Sequence, residues 1–349
     1  MPLAFMKNDR PLSLAPYAGY RNENRLSLRA RVLRRDRPLW ERSGRTEKLF
    51  GLLRLYASHE VPGMPVELEG LGTRASATTD REGFATFDLD IGDRPLPRHA
   101  LWEHVTLSLP DAESAEGAQT PVLSPGTDGR LGIISDIDDT VIESGAHEFF
   151  ANWRRFLLEM PGDRIAVPGA AELFNRLGDP AGPEPDADPR RAFFYVSSSP
   201  WNLYGFLAEF KRINNLPRGP MLLRDWGMNS ETLGSSSHGA HKTRSIAHIL
   251  EFYPALRFVL IGDDTQGDAE AYWHVARDHP GRIAAIFLRM ATGEEIAPEK
   301  RAALDNLRTA GIPVWTGPAF DAGHEMLAQL GFDMDGDTAR LVETDRPPA

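Results

Sequence analysis

The sequence predicts an α/β fold with a parallel sheet, preceded by an antiparallel domain that resembles a β-sandwich. Before about residue 125 apolar and polar residues alternate, and after about residue 130 continuous apolar runs alternate with helical periodicity. A polar segment rich in Gly and Pro, residues 110–130, lies between the two patterns and is predicted to be a linker. We therefore place the β domain at residues 1–125 and the α/β domain at residues 126–340.

The β domain is assigned from strand-length segments that place an apolar residue at every second position. These segments are residues 25–33, 66–69, 83–91 and 102–109. Residues 79–83, Thr-Asp-Arg-Glu-Gly, form a turn signal between two of them. Several short strands with turn-rich joints indicate an antiparallel sandwich.

The α/β domain is assigned from four short apolar runs of the kind that forms strands buried on both faces. They are residues 131–135, 192–196, 258–261 and 283–288. Apolar residues at helical spacing lie between the runs, as at Leu203, Phe206 and Phe210 and again at Ile246 and Ile249. This alternation indicates a parallel sheet covered by helices on both faces.

Composition narrows the classes of function. The absence of cysteine excludes disulfides and thiolate metal sites, and no apolar run reaches the ~18 residues that a membrane span requires. The net charge of −11 argues against general nucleic-acid binding, so we expect no nucleic-acid partner. Residues 1–54 hold 13 Lys and Arg against 5 Asp and Glu. That excess suits contact with anionic lipid, although a solvated strand face is the simpler explanation.

The start of the sequence predicts where in the cell the protein is found. The first residues lack a long apolar segment after their basic residue, so we expect no secretory signal and a cytoplasmic protein. Peripheral contact with the inner membrane surface is the alternative. The sequence leaves the oligomeric state open.

Carboxylates and hydroxyls follow three of the apolar runs, at the edge where open parallel sheets bind ligands. They are Asp136 and Asp138 after the first run, Ser197 after the second, and Asp263, Asp264 and Asp268 after the third. So many like charges at one edge repel one another unless a divalent cation lies among them. Ligands that are all oxygen atoms favour Mg²⁺, so the sequence predicts a magnesium site.

The spacing of Asp136 and Asp138 suits phosphoryl transfer. Residues two apart on an extended segment point the same way, so one carboxylate can attack a phosphorus atom while the other serves the leaving oxygen. Lys242, in the first turn of a predicted helix, can neutralise charge at the same edge. Taken alone, these motifs could be a surface turn, a helix N-cap and a solvated lysine. Their order after successive strands favours the functional interpretation.

These motifs resemble the haloacid dehalogenase superfamily and, within it, the actin-patch-associated phosphatidate phosphatases and their bacterial relatives. The matching segments are ISDIDDTVI (134–142), YVSSSPWNLY (195–204), LPRGPMLLRD (216–225), His241-Lys242 and LIGDDTQGD (260–268). The resemblance covers about residues 130–320 and is weaker before them. It implies a Rossmann-like parallel sheet with a small cap.

The resemblance also implies a role for the matched residues. Asp136 would be the nucleophile that becomes a phosphoaspartate. Asp138 would be the general acid for the leaving alcohol and then the base for water. Ser197 would bind the phosphoryl oxygens, and Lys242 would neutralise the phosphoaspartate.

For the metal, the resemblance implies that Asp136, the backbone carbonyl of Asp138, Asp263 and Asp268 hold Mg²⁺. The family usually has Ser-Gly where this chain has Asp264 followed by a threonine. The extra carboxylate leaves open whether Asp264 or Asp268 is the closer ligand.

The expected substrate follows from the same resemblance: phosphatidate, hydrolysed to diacylglycerol and phosphate. Residues 141–191 are short for a large cap, and residues 149–158 form either a small apolar lid or a core-facing helix stripe. Two alternatives stay open. The first is a phosphatase of soluble phosphomonoesters or phosphoproteins, and the second is a non-catalytic phosphate-binding module.

Overall fold

The computed structural model describes residues 12–34, 59–110, 117–127, 129–137, 140, 167–178, 190–224, 235–265, 267–290 and 297–332. The chain divides into two compact units. The first comprises Met1–Leu96 and Trp102–Ser124, and the second comprises Pro97–Leu101 and Pro125–Ala349.

The first unit is built from β-strands. Those in its described part are β1 (Leu12–Pro16), β2 (Gly19–Arg21), β3 (Arg25–Arg34), β4 (His59–Glu60), β5 (Pro65–Gly70), β6 (Thr73–Thr78), β7 (Phe84–Asp90), β8 (Leu101–Ser108) and β9 (Ala118–Ser124). They form one sheet in the order β1-β3-β2-β9-β8-β5-β6, with β4 and β7 also paired to β3. The apolar positions of β3 and β7 are buried in a shared core that includes Leu28, Val32 and Phe87. The apolar residues at every second position of these strands therefore form one buried face of the sheet.

The pairing in this sheet is mostly antiparallel, as the sequence predicts, but two features differ. The pair β2–β9 is parallel, so the sheet is mixed. In addition, the predicted linker at residues 110–130 contains strand β9, so that part of the linker prediction is wrong. The reason is local composition: Ala-Gln-Thr-Pro-Val-Leu-Ser has a proline and few apolar residues, which hides a strand whose partners are distant in sequence.

The second unit contains a parallel sheet. Its described strands are β10 (Leu131–Asp136), β11 (Phe193–Pro200), β12 (Met221–Arg224), β13 (Arg257–Asp263), β14 (Ile283–Arg289) and β15 (Val314–Gly317). The sheet order is β12-β11-β10-β13-β14-β15, and every pairing is parallel. All residues of β10 and β14 are buried, which matches the continuous apolar runs.

Helices alternate with these strands along the chain. Those described are α1 (Ala170–Gly178), α2 (Tyr204–Ile213), α3 (Ser235–Phe252), α4 (Asp268–Asp278), α5 (Pro298–Thr309) and α6 (His324–Leu330). Within the described ranges, no helix is both long enough and apolar enough to cross a bilayer. The α/β class with a parallel sheet is thus confirmed.

Helix α3 differs from the prediction at its start. Apolar periodicity at Ile246 and Ile249 suggests a helix whose first turn holds Lys242, whereas α3 begins at Ser235 and Lys242 lies well inside it. The first residues of α3, Ser-Ser-Ser-His-Gly-Ala, carry no apolar period that could reveal the extra turns.

Candidate active site

The centre of the parallel sheet is the point where the strand order reverses. Strand β10 lies between β11 and β13, so later strands extend first to one side and then to the other. Open parallel sheets bind ligands beyond the carboxyl ends of the strands at such a point. Asp136 is the last residue of β10 and Asp263 is the last residue of β13, and the two strands are paired in register. Their carboxylates therefore reach the same edge.

Three buried carboxylates meet at this edge. Asp136, Asp263 and Asp268, the first residue of α4, each present an oxygen atom, and these oxygens lie within 4.8 Å of one another. None of the three residues is more than 2% exposed. Like charges this close repel strongly in a medium of low dielectric constant, so the cluster requires positive charge.

Lys242 supplies part of that charge. Its ammonium nitrogen lies 3.0 Å from Asp136 Oδ1 and donates a hydrogen bond to Asp268 Oδ1. Burial acts to lower the pKa of Lys242, but the carboxylates of Asp136 and Asp268 outweigh it and raise that pKa above its ordinary value. Lys242 is therefore a permanent cation between two of the three carboxylates.

Hydrogen bonds orient Asp263. Thr140 donates to Asp263 Oδ2 at 3.0 Å, and both the backbone N–H and the hydroxyl of Thr265 donate to Oδ1. The backbone N–H of Asp263 donates to Asp268 Oδ2 at 3.1 Å, which ties the two acidic residues together. Burial and the Asp268 carboxylate raise the pKa of Asp263, and a bound cation would favour its charged form.

Asp264 has a different environment from the cluster. Its carboxylate lies 3.5 Å from the ammonium nitrogen of Lys300, which also donates to the backbone carbonyl oxygen of Asp264. Of the two candidates for the closer ligand, Asp268 belongs to the cluster of three carboxylates found among the described residues and pairs with Lys242. Asp264 is not part of that cluster and pairs with Lys300.

Three serines form the buried polar end of β11, the strand that is paired with β10. Ser197, Ser198 and Ser199 are all buried near the carboxyl end of β11, and Val196 is in register with Asp136. The Ser197 hydroxyl oxygen accepts a hydrogen bond of 2.9 Å from the backbone N–H of Ser199. Ser197 therefore lies one residue beyond the partner of Asp136, on the strand next to it.

Two predicted features lie outside the described residues. One is Asp138, the expected acid and base. The other is the segment 149–158, for which a lid and a core-facing helix are the two interpretations.

Three residues that position the carboxylates received no role from the sequence. They are Thr140, Thr265 and Tyr272. The Tyr272 hydroxyl donates to the Ile261 carbonyl oxygen at 2.8 Å and lies beside Asp268. The sequence could have indicated Tyr272 through its spacing, because it lies four residues after Asp268 and residues with that spacing share a helix face.

The donor set fits a divalent cation of the magnesium type. The three clustered groups are all carboxylates, which are hard oxygen ligands. Together with the single positive charge of Lys242 they carry a net charge of −2, which one divalent cation balances. Asp136, Asp263 and Asp268 are the residues that would hold it.

Comparison with known proteins gives a consistent result. Residues 131–290 match the family described as "Phosphatidate phosphatase APP1, catalytic domain". The chain is 28% identical over 298 residues to phosphatidate phosphatase APP1 of Saccharomyces cerevisiae, covering 81% of this chain and 45% of the yeast protein. It is 27% identical over 173 residues to an uncharacterised protein of Schizosaccharomyces pombe, covering 49% of this chain and 26% of that protein. The chain thus spans less than half the length of either relative.

Similarity to solved structures is weak. A carbohydrate acetylesterase from Xanthomonas citri aligns with 88% of this chain and 68% of its own, at a TM-score of 0.30 and 9% identity. The sequence match, by contrast, includes the three clustered carboxylates and Lys242. Residues 131–290 are thus similar to the family of phosphatidate phosphatase APP1 catalytic domains.

Proposed function

We propose that this chain is a Mg²⁺-dependent phosphatase that hydrolyses phosphatidate to diacylglycerol and phosphate through a phosphoaspartyl intermediate. The observation that supports it best is the buried cluster of Asp136, Asp263 and Asp268 with Lys242 at the switch point of the sheet. Similarity to the family of phosphatidate phosphatase catalytic domains supports the substrate class. The proposed catalytic domain is residues 126–340, with a fold of the haloacid dehalogenase type, and the β domain is residues 1–125.

In the first step, an Asp136 carboxylate oxygen attacks the phosphorus atom of the phosphomonoester. The bond between phosphorus and the lipid oxygen breaks, and Asp138 gives its proton to that oxygen. Lys242 lies 3.0 Å from Asp136 Oδ1 and offsets the negative charge around the phosphoaspartate. Ser197 donates a hydrogen bond to a phosphoryl oxygen.

In the second step, Asp138 takes a proton from the attacking water. The bond between phosphorus and the Asp136 oxygen breaks, which releases phosphate and regenerates the carboxylate. Mg²⁺ held by Asp136, Asp263 and Asp268 would stabilise negative charge on the transferred group. The hydrogen bonds from Thr140 and Thr265 keep Asp263 in one orientation throughout.

The Asp136→Asn variant tests this mechanism, because asparagine keeps the shape of aspartate but is a poor nucleophile. We expect phosphate release to fall by at least about a thousandfold, with an unchanged circular dichroism spectrum. Wild-type protein quenched in acid during turnover should carry a phosphoryl group that the variant lacks. Wild-type rates in the variant on any good phosphomonoester would exclude the mechanism.

A second experiment tests the substrate. Phosphate release is measured on phosphatidate in phosphatidylcholine vesicles and on soluble phosphomonoesters, with and without Mg²⁺. We expect Mg²⁺-dependent turnover of the vesicle substrate, with peripheral contact at the vesicle surface. Turnover of soluble phosphates alone would favour the soluble phosphatase, and phosphate binding without turnover would favour a non-catalytic module.

A further inference from the structure

The loop after β13 carries an additional carboxylate beside the proposed cation site. Asp264 is buried and directly follows Asp263, one of the clustered residues. A buried carboxylate at this position adds negative charge to a cluster that already has more carboxylates than ammonium groups. It therefore needs a partner that keeps it from competing for the cation.

Lys300 provides such a partner from a different element. It lies in the first turn of α5, and its side chain is 15% exposed. Its ammonium group contacts Asp264 twice, through the carboxylate at 3.5 Å and through the backbone carbonyl oxygen. The two contacts fix both the side chain and the backbone of the residue between Asp263 and Thr265.

The backbone contact matters because the same short loop orients the cluster. The N–H and hydroxyl of Thr265, the next residue, hold Asp263 Oδ1. The Asp263 N–H in turn holds Asp268 Oδ2. A shift of the Asp264 peptide would therefore move donors and carboxylates of the site together.

The balance of charges at the site also indicates that Lys300 matters for cation binding. The four carboxylates of Asp136, Asp263, Asp264 and Asp268 face the two ammonium groups of Lys242 and Lys300, which leaves a net charge of −2 for these six groups. One divalent cation balances that charge. Without Lys300 these groups carry one more negative charge, and the Asp264 carboxylate is the nearest additional ligand in sequence.

We propose that Lys300 is a positioning residue, which holds Asp264 away from the cation and fixes the loop that orients Asp263. The proposal rests on the proposed function, since it concerns the same site. It also makes a prediction that does not depend on turnover: removing Lys300 should strengthen cation binding while it weakens catalysis.

The test compares Lys300→Met with three other variants. Arg301→Met is the matched control, because Arg301 is exposed on the same helix turn and loses the same charge. Lys300→Arg keeps the charge. The double variant Lys300→Met/Asp264→Asn removes the released carboxylate as well. If Lys300→Met does not fold, Lys300→Gln, which retains a hydrogen-bond donor, takes its place.

Two quantities are measured for each variant: Mn²⁺ binding by electron paramagnetic resonance, and kcat for phosphate release. We expect Lys300→Met to bind Mn²⁺ about three- to tenfold more tightly, because the site gains a negative charge. We expect its kcat to fall about tenfold or more, because the cation geometry changes. The double variant should return Mn²⁺ affinity to within about threefold of wild type, but its kcat should recover only in part, because the contact of Lys300 with the Asp264 carbonyl oxygen is still missing. Lys300→Arg and Arg301→Met should stay near wild type.

Unchanged or weaker Mn²⁺ binding in Lys300→Met would overturn the proposal, as would an unchanged kcat or a failure of the double variant to recover wild-type Mn²⁺ affinity. Absence of turnover in the wild type would instead count against the proposed function. The Mn²⁺ measurements would still decide the role of Lys300 in that case.

Discussion

At the scale of single residues, the site depends on burying charges of opposite sign together. Lys242 is 1% exposed and lies between Asp136 and Asp268, so each group loses hydration and gains a charged partner. The free-energy cost of removing these charges from water offsets much of the attraction between them. When one charged group is removed, its partners remain buried without compensation, and the folded state is strongly destabilised.

The Lys242→Met variant should show this. Removing the ammonium leaves three buried carboxylates facing one another, so we expect a loss of about 3–5 kcal/mol in the free energy of unfolding without divalent cations. Saturating Mg²⁺ should restore part of that loss, because it supplies the missing positive charge. Urea unfolding with and without Mg²⁺ measures both effects.

Arg244→Met is the control for this variant, because Arg244 is exposed two residues further along the same helix. It should lose little stability. A Lys242→Met protein as stable as wild type in the absence of Mg²⁺ would show that the carboxylates do not depend on the lysine.

The sequence could predict that the acidic residues and Lys242 belong to the site. The acidic residues follow apolar runs, and Lys242 lies in a predicted helix. The hydroxyls of Thr140, Thr265 and Tyr272 could not be ranked in the same way, because their importance comes from what they contact in the folded chain. The partner of Asp264 was equally hidden, since Lys300 lies 36 positions away.

At the scale of elements, the site depends on how closely α4 approaches the end of β13. Gly262 allows this approach: a Cβ atom at that position would collide with Asp268 Oδ2 and lie 2.5 Å from the Tyr272 hydroxyl. Asp268 and Tyr272 both lie in the first two turns of α4, and Tyr272 donates a hydrogen bond to the β13 backbone. A side chain at Gly262 would therefore separate the helix from the strand.

We expect Gly262→Ala to lower the free energy of unfolding by about 1–3 kcal/mol through overpacking. It should also weaken Mn²⁺ binding, because Asp268 is displaced from Asp263. Gly239→Ala is the matched control, since a Cβ atom there has no neighbour within 4 Å and Gly239 lies in α3. That control should be neutral or slightly stabilising. Equal behaviour of the two variants would contradict the packing argument.

The elements that could be predicted from the sequence are the central strands. Strands β10, β11, β13 and β14 contain continuous apolar segments because these strands are buried along almost their whole length. The edge strands β12 and β15 have only four residues each, and β15 is only partly buried, so neither has a distinctive pattern. Strand β9 was obscured by its polar composition.

At the scale of the whole molecule, one buried amine links stability to pH. Lys211 on α2 is 7% exposed, donates to the Gly219 carbonyl oxygen at 3.1 Å and lies 3.9 Å from the centre of the Tyr195 ring. Neither of these partners carries a negative charge. Burial and the nearby Arg218 guanidinium therefore lower the pKa of Lys211 to about 7.

This shift predicts stability that rises with pH. In the unfolded chain the lysine pKa is about 10.4, so between about pH 7 and that value the unfolded state binds more protons than the folded state. The free energy of unfolding should increase over this range by at most about 1.4 kcal/mol per pH unit from this group. Urea unfolding at pH 6.5, 8 and 9.5 measures the slope.

The Lys211→Met variant should have a flatter profile, because it lacks the titrating amine. Arg212→Met, an exposed change at the next residue, should keep the wild-type slope. If all three proteins have the same slope, Lys211 is not the source of the pH dependence.

The class and order of the two parts of the chain could be predicted at this scale from their hydrophobic periods. The strand order β12-β11-β10-β13-β14-β15 could not, because periodicity identifies strands without naming their neighbours. The parallel pair β2–β9 was unpredictable for the same reason.

The reversal of strand order around β10 has a consequence for biosynthesis. Thr140 and Asp263, a hydrogen-bonded pair at the site, are 123 positions apart, and Asp268 comes later still. A nascent polypeptide that has emerged only as far as β12 already exposes Asp136 but has neither β13 nor α4 to complete the carboxylate cluster. The ribosome must therefore translate well past residue 268 before the cluster can assemble, and a truncated message that stops earlier yields a chain without it.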